Sequence, residues 1–167
     1  MIALGVDPGT LRTGWAVVRR DGSRLLHLGS GTIRTDERAA MEQRLLTVAQ
    51  GLEQVITSYG PHLAAVEDIF FSHNARSALK LGQVRGAVLV TLARRGLSVA
   101  SYAPALVKRA IVGTGRADKN QVSRIVQAIL RLEALPAEDE GDALAIAICH
   151  LNAPQIPVKA PTPRKRK

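Results

Sequence analysis

The chain opens on an apolar run that ends in an acid, a proline and a glycine: Ile2-Ala3-Leu4-Gly5-Val6, then Asp7-Pro8-Gly9. That pattern predicts a buried strand delivering one carboxylate to its exit. A carboxylate at the end of an interior strand is costly to desolvate unless a cation or hydrogen-bond donors meet it. Pro8 cannot extend the sheet, and Gly9 permits a turn that a Cβ would obstruct, so the pair fixes the backbone just after Asp7. Alone, such an acid could simply cap the turn. What Asp7 does depends on the other acids.

Residues 13–20 and 24–33 read as two further strands, with Asp21-Gly22 between them as a hairpin signal, so the chain is expected to begin with an antiparallel meander. Over 38–58, Met41, Leu45, Val48, Leu52, Val55 and Ile56 recur at helical spacing, and Tyr59-Gly60-Pro61 ends the helix. Leu63-Ala64-Ala65-Val66 then repeats the opening design, an apolar strand closed by an acid, Glu67. A helix over 74–95 puts Ala78, Leu79, Gly82, Gly86, Val90 and Ala93 on one small, apolar face. Gly82 and Gly86 there allow close approach of the sheet or of a second subunit.

A strand over 97–102 and a helix over 104–112 follow, then a Gly113-Thr114-Gly115 break. Asp118 and Gln121 form a capping-box pattern opening a helix that buries Val122, Ile125, Val126, Ile129 and Leu132. A last helix covers 139–151. The order β-β-β-α-β-α-β-α-α-α predicts one α/β domain over residues 1–152. Its mixed five-stranded sheet has three antiparallel strands, then parallel ones, with helices on both faces. Residues 153–167 hold four prolines and five basic residues without an acid, the composition of a disordered basic tail.

A chain of 167 residues supports one core. It carries no apolar run of membrane-spanning length and no basic segment before its first apolar run, so a cytoplasmic location is expected. The single Cys149 excludes an internal disulfide and a CxxC zinc site. A net charge of +9 points to a polyanionic partner such as nucleic acid. Yet Glu138, Asp139, Glu140 and Asp142 crowd into five residues of this basic chain, which invites a cation.

If the strands ending in Asp7 and Glu67 are parallel neighbours, both carboxylates leave the sheet at the same edge, where α/β sheets place their sites. Asp139 and Asp142 are three apart on a helix and share a face, with Glu138 also within reach of it. Converging carboxylates repel unless metal ions neutralise them, and hard oxygen ligands suit Mg²⁺ or Mn²⁺. Such a site serves phosphodiester hydrolysis, with one metal activating water and a second stabilising the leaving oxygen.

The segments GVDPGTLRTGWAVV, AVEDIFFSHNARSALKLGQVRGA and DEGDALAIAICH resemble the RuvC family of Holliday junction resolvases in order and spacing, from Ile2 to about Asn152. The resemblance implies an RNase H-like fold, a homodimer, and endonuclease activity that depends on two divalent ions per site, Mg²⁺ with Mn²⁺ as substitute. It further implies paired symmetric nicking of four-way junction DNA, in concert with a RuvA and RuvB branch-migration complex, in recombination and repair. Carried over by position, Asp7, Glu67, Asp139 and Asp142 are the expected catalytic acids and metal ligands. The family's D-x-x-D-A-L pattern favours Asp139 over Glu138. Phe70 is similar to an aromatic that stacks on junction bases, and Lys108 and Lys119 match basic positions that contact DNA.

Three other readings compete. The D-P-G-T-x-x-T-G pattern also resembles the first phosphate hairpin of sugar kinases and actin-like ATPases, but no second phosphate motif follows. An RNase H-like nuclease acting on RNA lacks a reason for the NARSALKLGQVRG segment. A non-catalytic junction scaffold lacks a reason for four acids beside bound phosphates.

Overall fold

In a computed structural model of the chain, which describes residues 1–68 and 74–153, the opening strand β1 (Ile2–Asp7) lies at the centre of the sheet. It runs antiparallel to β2 (Arg12–Asp21) and parallel to β4 (Leu63–Glu67). Beyond β2 lies β3 (Arg24–Arg34), antiparallel, and beyond β4 lies β5 (Ser98–Tyr102), parallel, giving the order β3-β2-β1-β4-β5. The expected mixed five-stranded sheet is therefore present. Its hairpin falls one residue later than expected: Asp21 pairs with Arg24, so Gly22 and Ser23 form the loop. Gly22 holds φ at +57°, and glycine at the first loop position suits a tight two-residue hairpin.

The two faces of the sheet bury separate cores. On one, α1 (Met41–Tyr59) and α2 (Ala75–Arg94) cover Leu4, Val6, Val17, Ala64 and Val66. On the other, α3 (Pro104–Val112), α4 (Lys119–Leu130) and α5 (Glu138–Asn152) cover Ala3, Ala16, Val18 and Ala65. The alternation of β1 thus feeds both layers, because successive side chains point to opposite faces. Helix boundaries follow local chemistry. Gly60 and Gly113 take left-handed conformations at the ends of α1 and α3, while the Asp118–Gln121 capping box opens α4.

Helix α5 lies closest to the sheet. Every residue from Ala143 to Leu151 is buried, and the helix crosses β1 and β2 at Gly5 and Gly14. A Cβ on Gly5 would collide with the Ala143 carbonyl and the Ala147 nitrogen, and one on Gly14 with the Asp139 carbonyl. These two glycines let the helix descend far enough to bring its acidic first turn beside the end of β1.

Helix α2 decides between the two alternatives left open for its small apolar face. Val84, Val88, Thr91 and Leu92 face the sheet, whereas the small and apolar stripe read from the sequence points outward. Leu79 and Val90 on that stripe are 71% and 58% exposed, and a Cβ on Gly82 or Gly86 would meet nothing within 4 Å. The helix has two apolar stripes, and the β-branched and leucine stripe, which buries more area, takes the sheet.

Candidate active site

The turn after β1 is closed by its own residues. Thr13, fully buried, donates its hydroxyl to the Gly9 carbonyl at 3.2 Å, and a Cβ on Gly9 would strike the Arg12 carbonyl. Thr35 donates to the Thr10 carbonyl at 2.9 Å, and the buried Arg44 of α1 donates to the same oxygen. The D-P-G-T-x-x-T segment therefore holds a rigid shoulder against which Asp7 leaves the sheet.

Val6 pairs with Val66 in the parallel β1–β4 register, so Asp7 and Glu67 emerge as neighbours at one edge, as the strand pattern predicted. Together with Asp142 they line a cavity of about 250 Å³, whose other walls are Pro104, Val107 and Lys108 of α3, Lys119 and Val122 of α4, and Ala145 of α5. Asp7 and Glu67 hydrogen-bond each other through their carboxyl groups. Burial, then the charges of Glu67 and Asp142, push Asp7 up to about 8, with Lys119 opposing. Burial and the charge of Asp142 also raise Glu67, against the Asp7 hydrogen bond and the pull of Lys119 and Lys108.

Lys119 is the cation the cluster already holds. Its ammonium contacts Glu138 at 2.5 Å and Asp142 at 3.2 Å, and its charged form is favoured above all by the Glu138 hydrogen bond. That hydrogen bond, in turn, holds Glu138 below the usual carboxylate range. Glu138 and Asp142, four apart on α5, thus share a face toward Lys119. Asp139 is half-buried, packs its backbone on Gly14, and is not among the residues lining the cavity. Phe70 falls outside the described residues, as do Phe71 and His73. His150 and Cys149 are buried away from the acids, and His150 hydrogen-bonds the Tyr102 hydroxyl at 2.8 Å.

The donor set fits a hard divalent cation. Three carboxylates line one small cavity, with Asp7 driven toward its protonated form by burial and then by the charges of Glu67 and Asp142, and a cation would stabilise such a site. Among the described residues no three such groups converge tightly enough to hold an ion as they stand. Two roles escaped the sequence reading: Glu138 as the partner of Lys119, and Arg85, a candidate phosphate or partner-subunit contact by sequence, as a contact of the Glu67 backbone. The available signal for Arg85 was its place between Val84 and Val88, beside the buried stripe of α2.

A central strand pair ending in two carboxylates, flanked by an acidic helix start on a mixed sheet, defines the class: an RNase H-like resolvase fold. A structure of a yeast mitochondrial Holliday junction resolvase shares that fold at 12% identity with a TM-score of 0.64, covering 88% of this chain and 77% of that one. The family model described as "Crossover junction endodeoxyribonuclease RuvC" matches residues 3–150. The chain belongs to that family and is a crossover junction endodeoxyribonuclease, an endonuclease of four-way DNA junctions. It is 46% identical to the protein of that name from Citrifermentans bemidjiense over 156 residues, 93% of this chain and 95% of the relative. Identity to the Vibrio vulnificus protein is 48% over 151 residues, 90% of this chain and 87% of the relative. Among solved structures, Thermus thermophilus RuvC in complex with Holliday junction substrate is similar at 33% identity and a TM-score of 0.86, covering 90% of this chain and 93% of that one.

Proposed function

We propose that Asp7, Glu67, Asp139 and Asp142 are the catalytic acids of a homodimeric resolvase that nicks two like strands of a Holliday junction symmetrically, in recombination and repair. The observation that carries this reading is the shared cavity: three of the four acids surround it, and two lysines from different helices close it. The acids would hold two divalent ions, Mg²⁺ with Mn²⁺ as substitute. When bound, such ions activate the attacking water and stabilise the leaving oxygen.

The chain's own residues supply the rest. A phosphodiester entering a ring of carboxylates is repelled, and Lys108 and Lys119 on the cavity walls offset that repulsion with ammonium donors. Val107, Val122 and Ala145 exclude water on the inner side, which strengthens every charge interaction inside. Phe70, three residues beyond Glu67, would stack on a base at the crossover. Two-fold symmetry presents identical sites to equivalent strands, so dimerisation and paired nicking share one geometry. The outward apolar face of α2 is the surface suited to that dimer, and the RuvA and RuvB complex is the expected partner on the junction.

The test is an end-labelled synthetic four-way junction, with linear duplex as control, incubated with wild-type protein or Asp7→Asn, with and without Mg²⁺ or Mn²⁺. Paired symmetric nicks in the junction alone, lost in the variant and without metal, support the reading. Retained cleavage by Asp7→Asn would overturn the assignment of Asp7.

A further inference from the structure

Arg85 projects from the middle of α2 onto the ends of two strands. Its Nε donates to the Glu67 carbonyl at 3.3 Å, and its Nη2 donates to the Ser101 hydroxyl at 2.7 Å. The same Nη2 lies 3.2 Å from Asp68 Oδ1, and the side chain is only 19% exposed. Ser101 pairs with Val66 across the β4–β5 ladder, which closes with the Asp68 amide donating to the Tyr102 carbonyl at 2.8 Å. One guanidinium therefore spans both strands at the point where Glu67 turns its carboxylate into the cavity.

We propose that Arg85 is a positioning residue for the cleavage reaction, fixing the backbone of Glu67 so that its carboxylate meets the metal site. This rests on the reading of Glu67 as a metal-binding acid. Glu67 sits on the last residue of a five-residue strand, where a ladder frays unless something beyond it holds the chain. Pairing with β5 supplies part of that hold, and Arg85 of α2 adds a side-chain bond to the Glu67 carbonyl. The bonds use the forked geometry of guanidinium, with Nε and Nη2 reaching different strands at once. A lysine offers a single charged nitrogen and cannot reproduce the span. Turned inward and committed to these acceptors, Arg85 is not a free phosphate contact. Its location on α2 also ties the helix with the outward apolar face to the catalytic strand.

The experiment uses the full chain as wild type, Arg85→Lys, Ser101→Ala and Glu67→Gln. Three quantities are read: the Mg²⁺ concentration giving half-maximal junction cleavage, the Kd for Mn²⁺ by calorimetry on the DNA-free protein, and metal-free junction affinity at two salt concentrations. Arg85→Lys is expected to raise both metal constants by ~10-fold or more, as loss of a supporting contact behind a metal ligand does. Junction affinity should stay at the wild-type value. Ser101→Ala, which removes one bond and keeps the charge, should shift both constants in the same direction by less.

Unchanged metal constants in Arg85→Lys, with Glu67→Gln inactive and unable to bind Mn²⁺, would overturn the role of Arg85 while leaving Glu67 in place. Full cleavage and Mn²⁺ binding by Glu67→Gln would overturn the reading of Glu67 and the proposal with it. A salt-sensitive loss of junction affinity with normal metal constants would make Arg85 a phosphate contact instead. A lower Tm with normal metal constants would make it purely structural.

Discussion

Asp7 and Glu67 stand side by side at the ends of two parallel strands, and their carboxyl groups hydrogen-bond each other. Burial, and then the charges of Glu67 and Asp142, favour the protonated form of Asp7, an effect that a bound cation would oppose. Lys119 relieves part of the repulsion but is engaged with Glu138 and Asp142. The resting site is thus built for a partner more highly charged than a lysine.

A pH dependence of stability follows for the metal-free protein. Asp7 rises from 3.8 to about 8 on folding, so its protonated form is favoured in the fold. The associated stability is fully present below about pH 4 and is lost as pH rises toward 8. Asp7→Asn cannot ionise there. In EDTA, its Tm should match wild type at low pH and exceed it increasingly toward pH 8. The expected gap is on the order of 2 kcal/mol or more, roughly 4–8 °C. Adding Mg²⁺ should narrow the gap by stabilising the wild type. Parallel Tm profiles in EDTA would show that Asp7 is not held in a raised state.

Lys119 offers a second prediction, on binding. Lys119→Gln removes a cation from between Glu138 and Asp142 and leaves the cavity more negative toward phosphate. Junction affinity should fall, and the log–log salt slope of binding should shrink by about 1 if the ammonium reaches a phosphate. Titration of junction binding across salt concentrations reads both. An unchanged slope would confine Lys119 to the acids.

Gly5 tests how α5 is placed. A Cβ there meets the backbone of Ala143 and Ala147, which cannot rotate away, so Gly5→Ala must push α5 off the sheet. Overpacking of this kind costs about 1–3 kcal/mol. Because α5 also carries Asp139 and Asp142, cleavage should fall further than the loss of folded protein explains. Chemical denaturation and cleavage per folded molecule measure the two effects separately, and normal cleavage per folded molecule would show that the acids tolerate a displaced helix.

Much of this organisation is legible in the sequence because it is local. The runs Ile2–Val6 and Leu63–Val66 each end in an acid, and parallel pairing of two such strands brings the acids together. The Asp118–Gln121 cap and the glycines after α1 and α3 are likewise short-range signals. Facing is harder to read. Helical periodicity offered Glu138, Asp139 and Asp142 on overlapping faces, and the fold turns Asp142 into the cavity while Glu138 takes Lys119. In α2 the apolar stripe most evident in the sequence points outward, since which stripe meets the sheet depends on packing between elements distant in the chain. Arg85 is harder still, because its acceptors are a carbonyl and a hydroxyl, groups with no sequence signature of partnership.

That outward stripe yields the last prediction. Leu79 and Val90 are large, apolar and mostly exposed, and Gly82 between them is open to close approach. An apolar face of this kind, left open to solvent, marks an interaction surface, and a two-fold dimer would bury it against its own copy. Val90→Glu should leave the fold intact, because the side chain is mostly exposed, while placing like charges across the proposed two-fold contact. Light scattering coupled to size exclusion should then report a monomer with a near-wild-type Tm. Paired nicking should give way to rare single nicks, as a lone site has no symmetric counterpart. Gly82→Ala provides the complementary measurement. The substitution suits a helix interior and should raise monomer stability by about 0.5–1 kcal/mol, yet it should weaken the dimer if helices approach closely there. A Val90→Glu protein that stays dimeric would move the interface to another face of the molecule.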